Sequence, residues 1–61
     1  MKLWIARDCD GTLCIYQSKP FLDPYNDWDS DDDYLLIDEE RFPEVTFENS
    51  PQEVELKLAN I

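Results

Sequence analysis

The sequence predicts a mainly β domain (or a small α+β one), an antiparallel four-stranded sheet with an N-terminal hairpin, a long acidic loop and one short helical turn. Two stretches with β-forming side chains, residues 3–7 and 13–17, enclose the turn sequence Asp8-Cys9-Asp10-Gly11. Towards the other end, Val45 and Phe47, then Val54, Leu56 and Leu58, alternate with polar residues at the period of a half-buried strand. With 61 residues, 43% of them apolar, the chain has material for one small core and none for a second domain. The expected organisation is a single domain over 1–61, made of a hairpin at 2–18, an acidic loop at 19–33 and C-terminal strands at 34–59.

In the first hairpin, Asp suits the opening turn position and Gly11 supplies the left-handed conformation of a type I turn with a G1 bulge. With Asp8 opposite Thr12, Trp4 pairs with Tyr16 and Ile5 with Ile15. Leu3, Ile5, Leu13 and Ile15 then share one face, and Trp4, Ala6, Cys14 and Tyr16 the other. A tight Asp10-Gly11 turn mixes these sets, so the bulged turn is preferred. In its register Cys9 lies in the loop and Cys14 in the strand, unopposed, which argues against a disulfide. Lys19-Pro20 ends the second strand, and the prolines and aspartates up to residue 33 read as loop. Residues 34–38 form a short apolar third strand. Asp38-Glu39-Glu40-Arg41-Phe42 then reads as one helical turn, capped by Asp38 and stopped before Pro43. Residues 44–48 and 53–58 read as two half-buried strands. Ser50-Pro51-Gln52-Glu53 is also a capping box able to open a helix, but unbroken alternation from Val54 to Leu58 favours the strand.

The charge is unevenly placed. Of a net −10, residues 1–22 hold +1, residues 23–55 hold −12 with Arg41 as their single cation, and Lys57 returns +1. One segment therefore owns the acidity and forms a negative face. No basic patch is available to neutralise phosphates, so direct nucleic-acid binding is not expected. The longest apolar run, Tyr34-Leu35-Leu36-Ile37, is far short of a membrane span. The amino terminus lacks the apolar stretch of a secretory signal, and the expected compartment is the cytoplasm. Two thiols without a histidine make a poor zinc site, and no cofactor is implied.

Trp28 lies inside the acidic run, with Asp27 and Asp29 beside it and Asp31, Asp32 and Asp33 following. An aromatic centre rimmed by carboxylates is a candidate contact for a basic partner. Asp27, Asp29, Asp31 and Asp38 also fall at calcium-loop spacing, but Asp32 stands where that loop needs glycine and the flanks offer no helix pair.

Asp8-Cys9-Asp10-Gly11-Thr12-Leu13, after Leu3-Trp4-Ile5-Ala6, resembles the first motif of haloacid-dehalogenase-like phosphatases. That resemblance implies Asp8 as nucleophile and Asp10 as acid–base, with magnesium between them. The family's parallel sheet is several times this length, and the glycine is already accounted for by turn geometry. Over more of the chain, Leu3-Trp4-Ile5-Ala6-Arg7-Asp8, Asp10-Gly11-Thr12-Leu13, Phe42-Pro43-Glu44-Val45-Thr46-Phe47-Glu48-Asn49 and Val54-Glu55-Leu56 resemble short, acidic, functionally uncharacterised proteins of Bacteroides-type bacteria and their mobile elements. This likeness implies a full-length native protein, phage- or element-encoded, and supplies no catalytic residue. The expected function is that of a non-enzymatic acidic protein-binding module with a basic protein partner. The competing readings are a nucleic-acid mimic that inhibits a DNA- or RNA-binding protein, a self-associating structural subunit and, last, a magnesium-dependent phosphatase.

Overall fold

Strands β1 (Lys2–Arg7) and β2 (Leu13–Tyr16) pair antiparallel, with Trp4 opposite Tyr16, Ile5 opposite Ile15 and Arg7 opposite Leu13. These assignments come from a computed structural model, which describes residues 2–55. The connecting turn is the bulged one. The Asp8 N–H donates to the Thr12 carbonyl (2.8 Å), the Gly11 N–H to the Asp8 carbonyl (2.9 Å), and Gly11 has φ +99°. A Cβ at Gly11 would meet nothing within 4 Å, so backbone conformation, not space, selects glycine there.

Four further strands follow: β3 (Phe21–Leu22), β4 (Trp28–Asp29), β5 (Tyr34–Ile37) and β6 (Gln52–Glu55). The main sheet is antiparallel with order β5-β2-β1-β6, while β3 and β4 form a separate two-stranded hairpin. β1 and β2 are therefore central, and β5 and β6 are the edges.

The expected architecture is corrected in three places. No helix of any kind is present among the described residues, and 38–42 is a turn. Asp38 does cap it, its Oδ1 accepting the Glu40 N–H at 3.0 Å and its carbonyl the Arg41 N–H at 2.9 Å. Phe42, at φ +50°, then turns the chain out of any helical path. Residues 44–48 are not a strand. Thr46 and Asn49 close them into a loop, the Thr46 N–H donating to Asn49 Oδ1 (2.8 Å) and the Asn49 N–H to Thr46 Oγ1 (3.2 Å). Of the five strand-like stretches in the sequence, this one is left out of the sheet. The supposed acidic loop contains the β3–β4 hairpin, closed by Asp23, whose Oδ1 accepts the N–H groups of Tyr25 (2.8 Å) and Asp27 (2.9 Å). Positions 52–55 are strand, pairing Lys2 with Glu55 and Leu3 with Val54; Leu56, Lys57 and Leu58 lie outside the described residues.

Alternation in β1 and β2 gives the sheet two apolar faces, and a different connection covers each. Ile5 and Leu13 pack with Val45 from the 38–51 connection, joined by Ile15 and Ile37. On the other face Ala6, Cys14 and Tyr16 pack with Trp4 and with Trp28 from the β3–β4 hairpin. Tyr16 also donates its hydroxyl to the Trp28 carbonyl at 3.2 Å.

Arg7 fastens the first cover. Its Nε–H donates to the Val45 carbonyl (2.5 Å), Nη1 to the carbonyls of Gly11 (2.8 Å) and Glu39 (2.9 Å), and Nη2 to those of Arg41 (3.0 Å) and Phe42 (3.1 Å). These contacts engage all five guanidinium donors. They also account for the missing helical turn, because carbonyls that a helix would direct along its own axis converge here on one side chain.

Candidate functional site

Tyr34-Leu35-Leu36-Ile37 is apolar without alternation, as a strand covered on both faces would be. Its actual position is an edge. Pairing runs Ile37 with Leu13, Leu36 with Cys14, Leu35 with Ile15 and Tyr34 with Tyr16, and among the described residues no strand lies beyond it. Ile37 reaches the aliphatic core and Tyr34 lies against the Tyr16 ring at 5.3 Å. Leu35 and Leu36, however, are 70% and 69% exposed on opposite faces. An edge strand presents outward N–H and C=O groups at alternate residues, so this segment carries the backbone chemistry that strand pairing uses.

Carboxylates bracket it. Asp31, Asp32 and Asp33 precede the strand and Asp38, Glu39 and Glu40 follow it, all exposed. The Ser18 hydroxyl donates to Asp32 Oδ2, which ties the first group to the end of β2. Beside Leu35, on the face that carries Leu3 and Ile15, an open groove of about 730 Å³ runs between those side chains and Tyr34, with Asp33 and Gln17 at its rim.

Of the residues singled out in the sequence, Trp28 is half-buried, its ring against the aromatic face of the sheet and 6.2 Å from Phe47. Asp27 is half-buried and Asp29, Asp31, Asp32 and Asp33 are exposed. The structure thus places the tryptophan under the hairpin and the last three aspartates at the mouth of β5. The feature that composition could not reveal is the edge itself. Its available signal was the run Tyr34–Ile37, apolar at every position and acidic on both sides.

Asp8 and Asp10 serve the turn. Asp8 Oδ1 accepts the Trp28 N–H at 2.9 Å, joining the second cover to β1, and Asp10 Oδ1 accepts the Thr12 N–H at 2.9 Å. Burial pushes the Asp8 carboxyl above its ordinary value, helped by nearby Asp27, Asp10 and Asp23 and opposed by the Trp28 N–H. Hydrogen bonds from Thr12 hold Asp10 below its own. Cys9 and Cys14 are free thiols, exposed and buried respectively, and burial pushes the Cys14 thiol up, away from the reactive thiolate. Among the described residues no group of three carboxylates or thiols converges as a metal site, and no helix is long and apolar enough to cross a membrane.

A raised Asp8 means that the folded chain holds this proton more tightly than the unfolded chain. Its contribution to stability is therefore greatest below the ordinary carboxylate range and is lost as pH rises through the raised value. Asp8→Asn keeps an acceptor for Trp28 without the charge. It should be at least as stable as the parent near pH 7 in urea unfolding, whereas Asp8→Ala should lose about 1–2 kcal/mol. An Asp8→Asn protein clearly weaker than the parent near pH 7 would contradict this account.

Compared with known proteins, the chain matches no family model, no curated protein and no solved structure.

Proposed function

We propose that the protein is a non-enzymatic, acidic protein-binding module that works in the cytoplasm and engages a basic protein partner along the β5 edge. The observation that carries this reading is the exposure of Leu35 and Leu36 on a strand whose outer side has no partner strand among the described residues. Apolar side chains left out of both cores cost solubility in an isolated protein, and an open strand edge invites pairing; together they mark a surface built to be covered. Strand addition supplies affinity through main-chain hydrogen bonds and specificity through alternate side chains. The surrounding carboxylates supply the preference for positive charge. Free thiols at Cys9 and Cys14 suit a reducing compartment. Engagement of the catalytic-looking aspartates in turn and hairpin hydrogen bonds supports a binding role over phosphoryl transfer.

The test is cross-linked capture from the native host followed by amide-exchange mapping. A partner should protect residues 34–37 and be lost from a Leu35→Lys, Leu36→Lys protein. Both positions are exposed, so each substitution should change stability by no more than about 0.5 kcal/mol. A partner retained by that protein, with protection elsewhere, would overturn the assignment to β5.

A further inference from the structure

The order of charges around β5 also specifies what can pair with it. Asp33 and Asp38 are the residues immediately before and after the four-residue strand. Because side chains alternate, Asp33 belongs with Leu35 on the aliphatic face and Asp38 with Leu36 on the aromatic one. An antiparallel strand centred on Leu35 and Leu36 would set one residue directly opposite each aspartate, with four residues between. Directly opposed pairs interact most strongly across a sheet, favourably for opposite charges and unfavourably for like ones.

A second copy of β5 fails this condition. Paired about its own centre, Leu35 would face Leu36 of the other copy, and Asp33 would face Asp38 at both ends. Sliding by one residue in either direction brings Asp32 opposite Asp38, or Asp33 opposite Glu39. The three registers that set Leu35 or Leu36 opposite a leucine of the other copy thus all oppose carboxylates. Exposed edges of natural sheets are commonly protected by charge in this way.

We infer that β5 receives, antiparallel, an extended segment of another protein in which two basic residues enclose four apolar or β-branched residues, and that the same aspartates exclude self-pairing. This rests on the reading of β5 as the binding edge and adds the chemistry of its occupant. Arg or Lys opposite Asp33 and Asp38 neutralises both ends of the site. The residue opposite Leu35 projects on the side of the groove of about 730 Å³ lined by Leu3, Ile15 and Tyr34, which has room for a large apolar side chain. The residue opposite Leu36 projects on the aromatic side.

A blocked peptide with the central sequence Arg-Val-Tyr-Ile-Val-Arg tests this by amide chemical-shift mapping on the intact protein. The expected result is perturbation concentrated at residues 33–38, with affinity lowered about tenfold or more when both arginines become glutamate or when the protein carries Asp33→Asn and Asp38→Asn. N-methylation of alternate peptide amides should abolish binding in one phase and be tolerated in the other, because alternate N–H groups face the ladder. Equal binding of the arginine and glutamate peptides at 33–38 would overturn the charge rule while leaving strand addition at β5 intact. Shifts confined to other residues, or no binding by any peptide, would overturn the assignment of the edge itself. A concentration-dependent dimer of the parent protein protected at residues 34–37 would overturn the exclusion of self-pairing.

Discussion

Arg7→Ala is expected to destabilise the protein by about 3 kcal/mol, lowering the thermal midpoint by roughly 12–24 °C. Hydrogen bonds to a charged donor are the stronger kind, and this one side chain serves five carbonyls of the β1–β2 turn and the 38–51 connection. Truncation leaves those carbonyls turned towards one another around an empty centre. The loop that delivers Val45 to the aliphatic core also loses its fastening. Arg7→Lys should recover less than half of the loss, since an ammonium has three donors and no planar fork. Melting followed by far-ultraviolet circular dichroism measures both variants. A lysine protein as stable as the parent would show that charge alone holds the loop.

Leu13→Ala should cost about 3–5 kcal/mol, near the upper end for a leucine truncation. Leu13 is 0% exposed, in a central strand, and enclosed by Ile5, Val45 and Ile37. Its neighbours are tied into β-ladders on either side, which limits collapse into the cavity. Leu35→Ala, one strand away, is the contrast. The same chemical change at a 70% exposed position should alter stability by no more than about 0.5 kcal/mol while weakening partner binding. Urea unfolding of the pair separates the leucine that builds the core from the leucine that stands exposed at the sheet edge. Similar losses in both would mean that β5 is packed more fully than its exposure indicates.

The N-terminal hairpin is legible in the sequence because all its determinants are local: a glycine able to take positive φ, an aspartate that caps it, and two faces that agree in only one register. The turn at 38–42 carries a local signal too, but Asp38 caps a helix and a turn alike. What decides between them is Arg7, more than thirty residues earlier. Val45 and Phe47 imitate a strand because a single loop serves two cores, Val45 on one face of the sheet and Phe47 beside Trp28 on the other. The β3–β4 pair is two residues per strand, too short to establish a period. The acidity around the candidate site is plain from composition. The site's exposure is not, because whether residues 34–37 are central or peripheral depends on β1 pairing with β6 from the far end of the chain.

The two faces of the sheet also differ in how they interact with light. Trp4, Tyr16 and Trp28 all belong to the aromatic layer, whereas the layer built on Ile5, Leu13 and Val45, with Ile15 and Ile37, contains no tryptophan. Tryptophan emission therefore watches the β3–β4 hairpin on its side of the sheet and is nearly blind to the aliphatic side. Loosening that starts around Val45 is therefore visible to amide exchange first, and reaches fluorescence only when the same loop draws Phe47 away from Trp28.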